Sequence, residues 1–302
     1  MPKPSPDRYV LVTAARDEAA RLPQTVSGML AQTVKPVRWV VVDDGSVDDT
    51  ASVVRRLVEG VEWVTLVRRD DAAPADFASK VHAVRAGIEQ LDGLQYDFIG
   101  TLDADIVLET DYFERLLRVF DGSPRLGLAG GQIVEEYGGR AVRQRISANS
   151  VSGAVQLFRR EVFEAIGGLR PARLGGEDSA AEIMARMLGW DVQTRFELPV
   201  RHQGRVLSRN RGALRAWFAR GQVSRSLGYD PVFLLAMSAY RSLVQPPYLV
   251  SGALMFAGYL AGAEAVLEPD AVAFLRREQR QRLWGMFGHR GWRAQLAWRA
   301  GR

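Results

Sequence analysis

Short, almost wholly apolar runs alternate with segments of helical spacing through the first hundred residues. Tyr9–Thr13 and Val37–Val42 are apolar and rich in β-branched residues, and Val61–Val67 and Tyr96–Leu102 repeat the pattern. Between them lie Glu18–Gln32, a segment closing at Glu59, and Ser79–Leu91, each with apolar residues at helical steps. Strands alternating with helices in this way predict βαβ units. Strands without polar alternation predict a sheet covered on both faces. The fold class expected is α/β: a Rossmann-like, mostly parallel central sheet with flanking helices.

After residue 110 the pattern loosens. It predicts a helix over Tyr112–Phe120, strands over Leu126–Val134 and Val155–Phe158, and a helix over Glu161–Ile166 that stops at Gly167-Gly168. Residues 137–153 have little periodicity and are expected to form a mobile loop. Glu177–Leu188 is helical and stops at Gly189, and residues 191–206 hold one or two strands. From residue 210 on the pattern is helical, with Pro231 and Pro246-Pro247 each opening a segment. The expected organisation is an α/β domain over residues 1–228 and a helical appendage over 229–302. Residues 242–263 carry no formal charge and are long enough to span a bilayer. They also contain Gln245, two prolines and three glycines, which favours interfacial helices over a span.

Composition narrows the class. With 47% hydrophobic and 25% charged residues among 302, the chain is an ordinary folded protein. No cysteine is present, which excludes disulfides, thiol nucleophiles and Cys–zinc sites. No apolar run follows a basic start, so a cytoplasmic location is expected. Residues 1–198 carry 24 basic and 30 acidic groups, a net of −6; residues 199–302 carry 16 and 5, a net of +11. A basic C-terminal third implies an anionic partner. There Arg276, Arg277, Arg280 and Arg282 accompany Leu275, Leu283, Trp284 and Phe287, a mixture suited to an anionic membrane surface at the inner face of the cell membrane. The aromatic residues lie in apolar helices rather than between basic ones, so no nucleic acid partner is expected. Only 3 of 40 basic residues are Lys, which makes Lys80 stand out.

Ligands of an open parallel sheet bind beyond the carboxyl ends of its strands. Two strands end there in acids, Asp43-Asp44 and Asp103-Ala104-Asp105. In extended geometry residues i and i+2 point the same way, so Asp103 and Asp105 can hold Mg²⁺ or Mn²⁺ bridging to phosphates. The alternative is a polar turn. No GxxxxGK[ST] loop and no GxGxxG after the first strand is present, so a bound nucleotide needs a metal, Lys or Arg.

The series Thr13…Asp17-Glu18, Val41-Val42-Asp43-Asp44-Gly45-Ser46, Ser79-Lys80…Gly87, Leu102-Asp103-Ala104-Asp105 and Gly176-Glu177-Asp178 resembles the family 2 glycosyltransferases of GT-A fold, in order and spacing, over about residues 8–225. The resemblance implies an inverting enzyme that moves one sugar from a nucleotide-diphosphate sugar to a hydroxyl acceptor with a divalent metal, Mg²⁺ or Mn²⁺. The acceptor expected is a lipid-linked or cell-envelope glycan. By the same resemblance Asp43 meets the nucleobase with Asp44 beside it. Thr13, Arg16 and Glu18 belong to the nucleoside pocket, with Asp17 where the family commonly has Asn. Lys80 touches the diphosphate, with Ser79 in place of Gly. Asp103 and Asp105 form the metal and ribose motif, Asp105 being the better metal ligand. Asp178 is the catalytic base with Glu177 as its neighbour. His202 completes the metal site or touches the diphosphate; its other reading is a strand-end histidine. Arg201, Arg205, Arg209 and Arg211 are positioned in sequence to clamp phosphates. The Gln-x-x-Arg-Trp pattern of processive synthases is missing; Arg215-Ala216-Trp217 is its nearest stretch, which favours single-sugar addition. Trp217 is either a sugar platform or a core residue. The competing enzyme class, a nucleotidyltransferase making a nucleotide sugar, would show a Gly-rich loop after the first strand, and residues 14–22 contain no Gly.

Overall fold

A computed structural model describes residues 8–70, 77–137, 140–203 and 212–287. Its first elements follow the expected alternation: β1 (Tyr9–Ala15), α1 (Leu22–Leu30), β2 (Arg38–Asp43), α2 (Thr50–Leu57), β3 (Val64–Arg68), α3 (Phe77–Glu89) and β4 (Phe98–Leu102). Then come β5 (Ile106–Leu108), α4 (Tyr112–Asp121), β6 (Leu126–Tyr137), β7 (Arg140–Arg143), β8 (Val155–Arg159), α5 (Arg160–Ala165), α6 (Glu177–Met187) and β9 (Asp191–His202). The remainder is helical: α7 (Gly212–Ser226), α8 (Pro231–Val244), α9 (Val250–Leu260) and α10 (Pro269–Phe287). The chain divides into two compact units, Met1–Val206 and Leu207–Arg302.

In the first unit the sheet runs β3-β2-β1-β4-β8-β6-β9-β5, with β7 on β6. The four strands β3, β2, β1 and β4 are mutually parallel. The other half is mixed: β8 is antiparallel to β4 and β6, β9 is parallel to β6, and β5 is antiparallel to β9. The mostly parallel sheet expected is thus parallel over β3, β2, β1 and β4 and again between β6 and β9, with antiparallel pairs around them. β6 and β7 follow one another too closely for a crossover, so they can only pair antiparallel.

β1 and β2 are apolar at nearly every position because helices cover both faces. On one face Gly87 of α3 sits against the sheet; a Cβ there would stand 2.4 Å from Val12 Cγ1. On the other, α4 buries Tyr112, Phe113, Leu116, Leu117 and Phe120, and Phe113 stacks on Tyr9 of β1 at 4.7 Å between ring centroids.

The expected mobile loop over 137–153 is corrected. Residues 140–143 are a strand, and the turn that follows is bound from afar. Thr194 donates its N–H to the Ala148 carbonyl (3.0 Å) and its hydroxyl to that of Ser150, and Glu182 accepts from Ser150 and Val151. These partners are remote in sequence, so no local periodicity announces them.

In the second unit Trp217, Leu234, Met255 and Tyr259 form the core. Trp217 is thus a packing residue. α7 and α9 meet backbone to backbone: a Cβ on Gly221 would lie 1.9 Å from the Met255 carbonyl oxygen, and one on Gly258 2.0 Å from that of Phe218. The uncharged stretch 242–263 is split between the end of α8 and α9. Among the described residues no helix is long and apolar enough to cross a membrane.

Candidate functional site

A cavity of about 420 Å³ opens at the carboxyl ends of β1, β2 and β4. Its wall includes Arg16, Glu18, Asp44, Lys80, Asp103, Asp105 and His202, so seven of the expected site residues share one space. Asp17, Phe77 and Ser79 join them.

Two loops form one wall, and Asp17 joins them. Its backbone is left-handed (φ 56°), its Oδ1 accepts from the N–H groups of Val47 (2.8 Å) and Asp48 (3.4 Å), and its own N–H donates to Ser46 Oγ (3.0 Å). Asp and Asn tolerate that conformation better than most residues. Glu18 and Ala19 extend the tie through N–H donation to Thr50 Oγ1 (2.9 Å) and Asp48 Oδ2 (3.1 Å). Burial raises the pKa of Glu18, Arg21 opposes this, and Asp105 and Asp103 add to it.

Thr13 does not reach the cavity. It is fully buried, and its hydroxyl accepts from Trp39 Nε1 at 2.9 Å. A buried indole N–H needs an acceptor, and Thr13 is that acceptor. Asp44 pairs with Arg69 at 2.7 Å. Asp43 is fully buried below: Oδ1 accepts from the Ser46 N–H (3.1 Å), while Oδ2 has no hydrogen-bond partner, with Arg68 Nε 3.9 Å away.

The Asp103-Ala104-Asp105 segment is a turn between β4 and β5, not an extended strand. The two carboxylates take different partners there. Asp103 Oδ1 pairs with Lys80 Nζ at 2.6 Å. Asp105 Oδ2 faces His202 Nε2 at 3.3 Å, because β5 runs antiparallel to β9 with Ile106 opposite His202. The Gln203 N–H closes this end by donating to the Asp105 carbonyl (2.9 Å). Among the described residues no three His, Cys, Asp or Glu side chains converge to hold a metal ion. A carboxylate oxygen and an imidazole nitrogen at 3.3 Å nevertheless suit Mg²⁺ or Mn²⁺ completed by substrate oxygens.

Lys80 also lies 3.9 Å from Glu177 Oε1. Burial opposes its charge, but Asp103, Glu177 and Asp178 outweigh burial and raise its pKa well above the ordinary lysine value. Glu177 and Asp178 open α6 after Gly175 and Gly176, both with positive φ (87° and 96°), a turn that glycine makes without strain. Burial raises the pKa of Glu177, with Lys80 opposing. Asp178 Oδ1 accepts from the Ser179 N–H at 2.6 Å. Its Oδ2 lies against Gly153, where a Cβ would stand 2.9 Å away.

The sequence reading passed over Glu182. It is buried one turn after Asp178 and accepts from Val151 N–H (2.6 Å) and Ser150 Oγ (2.9 Å), so it fastens the segment that ends at Gly153. Burial pushes its carboxyl up to about 8. The available signal was its i+4 spacing from Asp178 on one helix face. Arg201 is exposed on β9, and His82 is exposed on α3. Arg205, Arg209, Arg211 and His289 lie outside the described residues.

Comparisons with known proteins agree with this architecture. The mannosyltransferase PcManGT from Pyrobaculum calidifontis, solved with GDP-Man and Mn²⁺, superposes over 98% of this chain and 88% of its own (TM-score 0.58, 19% identity). TarS 1–349 of S. aureus covers 84% of this chain and 70% of its own (TM-score 0.53, 12% identity). Both share the fold. Poly-beta-1,6-N-acetyl-D-glucosamine synthase of Staphylococcus aureus is 25% identical over 118 residues, 39% of this chain, and the match spans about a quarter (26%) of that relative's length. The model of glycosyl transferase family 2 matches residues 10–173, more than half of the chain, and the protein belongs to that family.

Proposed function

We infer that this glycosyltransferase takes its sugar from a nucleotide-diphosphate donor and inverts the anomeric centre in a single displacement onto an acceptor hydroxyl. The observation that carries the reading is one cavity holding the Lys80–Asp103 pair and the Asp105–His202 pair at the carboxyl ends of parallel strands. Asp44 on the cavity wall, with Asp43 buried behind it, marks the nucleobase end of the site. Lys80 is the compact charge for a diphosphate, and its raised pKa keeps it charged. Asp105 and His202 would hold Mg²⁺ or Mn²⁺, which when bound neutralises charge on the departing diphosphate.

Asp178 is the base. As the acceptor oxygen bonds to the anomeric carbon, its proton passes to the Asp178 carboxylate, and the bond to the diphosphate breaks with its electron pair on the leaving oxygen. The Ser179 N–H orients one carboxylate oxygen, and Gly153 leaves room beside the other. The acceptor we favour is a lipid-linked or cell-envelope glycan, with the protein peripheral at the inner membrane face. Exposed apolar side chains on and between α8 and α9 support this, Leu243 and Leu249 each 71% and Leu260 69% exposed.

A thermal-shift panel of nucleoside diphosphates with and without Mn²⁺ tests the donor. A ligand at a hundred times its Kd stabilises the folded state by about 2.7 kcal/mol. One diphosphate should raise Tm more with Mn²⁺ than without; no shift from any of them overturns the reading.

A further inference from the structure

Arg159 in the first unit shows what a desolvated guanidinium requires. Its Cζ lies 5.5 Å from the ring centroids of both Phe98 and Phe120, and its N–H groups donate to the carbonyls of Leu126 (2.8 Å), Phe120 (3.0 Å) and Ser123 (3.3 Å). The rings satisfy its faces and three oxygens satisfy its edge. A guanidinium carries five N–H donors and no acceptor, so an edge without oxygens is unsatisfied when water is displaced.

The second unit repeats the ring contacts without the oxygens. Trp217 is 7% exposed. Arg220 Cζ lies 4.7 Å from its ring centroid and Arg241 Cζ, from α8, 5.7 Å. Among the described residues neither guanidinium has an oxygen acceptor or a carboxylate; the hydrogen bond from Arg241 goes to Met255 Sδ at 3.7 Å. Burial lowers the pKa of both groups, and the charge of Arg220 lowers that of Arg241 further. Two like charges gathered on one ring, their N–H edges met by no protein oxygen among the described residues and open to solvent, form half of an anion site.

We propose that Arg220 and Arg241, on the Trp217 ring, bind a phosphate group. It offers three terminal oxygens and up to two charges to the two guanidinium edges, against two oxygens and one charge on a carboxylate, and its charge offsets their repulsion. The group could be carried by a lipid headgroup or by a soluble phosphomonoester. Beside Arg241 on α8, Tyr240 (56%) and Leu243 (71%) are exposed, which fits an amphiphilic carrier, and residues 199–302 carry a net +11. The site involves no residue of the cavity in the first unit and does not depend on the donor reading.

The test uses the full chain, with Arg220→Gln and Arg241→Gln compared with wild type. Two probes are titrated: glycerol 3-phosphate in solution, and phosphatidylcholine vesicles with and without phosphatidic acid. Binding should fall about tenfold or more from wild type in each Arg→Gln variant, the scale of a lost charge-assisted hydrogen bond. Loss with both probes assigns the site to the phosphate itself, and loss with the acidic vesicles alone assigns it to a lipid headgroup. Binding unchanged in both Arg variants, or no binding of either probe by wild type, overturns the proposal. Arg220 is more exposed than Arg241, so Arg220→Gln decides the matter if Arg241→Gln fails to fold.

Discussion

Lys80 has Asp103 at 2.6 Å and Glu177 at 3.9 Å; Arg220 and Arg241 have an indole ring and each other. In the first unit partly buried cations are matched by protein oxygens: Arg69 by Asp44, Arg159 by three carbonyls, Lys80 by carboxylates on β4 and α6. The second unit also pairs Arg276 with the Gly228 carbonyl and Arg280 with Asp230, but its central helices are held by apolar packing and touch backbone to backbone. The two units therefore answer differently to substitution. Charge changes are decisive at the cavity of the first, and small changes of volume at the α7–α9 contact of the second.

The largest expected effect lies in the first unit. Asp178→Asn should lower turnover by about 10²–10⁴-fold, the scale of a lost general base. Donor binding, followed by calorimetry, should stay near wild type. Equal donor affinity with unchanged turnover would remove Asp178 from the chemistry, and a large loss from Glu177→Gln in its place would move the role one residue back.

Next comes Gly221→Ala. A methyl placed 1.9 Å from the Met255 carbonyl must push α7 and α9 apart. Overpacking of this kind costs about 1–3 kcal/mol, against which the better helix propensity of Ala recovers up to about 1. The melting transition should fall by several degrees while donor affinity in the first unit holds. An unchanged Tm would show that the helices are not in backbone contact.

A double-mutant cycle on Lys80→Met and Asp103→Asn measures the pairing directly. Each single change leaves the other charge unmatched, so the double variant should lose less stability than the sum, with a coupling of about 0.5–3 kcal/mol. Both side chains are more than a quarter exposed, which puts the lower end in view. Additive losses would mean that the pair is incidental.

A further effect is a pH dependence. Glu182 holds its proton up to about pH 8 in the folded protein and up to about 4.5 in the unfolded chain. The folded state thus binds more protons between these values, and stability falls as pH rises. This contribution is complete below pH 4.5 and gone above pH 8. Glu182→Gln, a neutral isostere, should flatten the decline of Tm over that window. Parallel pH profiles for wild type and variant would refute the assignment.

The first sheet half was readable because strands buried on both faces are continuous apolar runs, and α1, α2 and α3 carry buried residues at helical steps. β5 is three residues long and has no period to detect; β7 carries arginine at both ends and looks like loop. Acids at strand ends pointed to the cavity, since backbone topology alone brings them there. What escaped was set by distant partners. Thr13 turns inward because Trp39 needs an acceptor, Asp103 and Asp105 separate because Lys80 and His202 draw them apart, and Glu182 looks like any helix glutamate until residues 150 and 151 fold onto it.

The tie made by Asp17 has a consequence for solvent access. Loop amides ordinarily exchange their hydrogens with water through openings that cost almost nothing. Here the N–H groups of Asp17, Glu18, Ala19 and Val47 each have a side-chain acceptor supplied by the opposite loop. Releasing one loop strips acceptors from the other, so these amides should exchange together and slowly, as strand amides do. In deuterium uptake the rim of the cavity would then behave as a continuation of the sheet, and a donor would meet a wall already in place rather than one it must assemble.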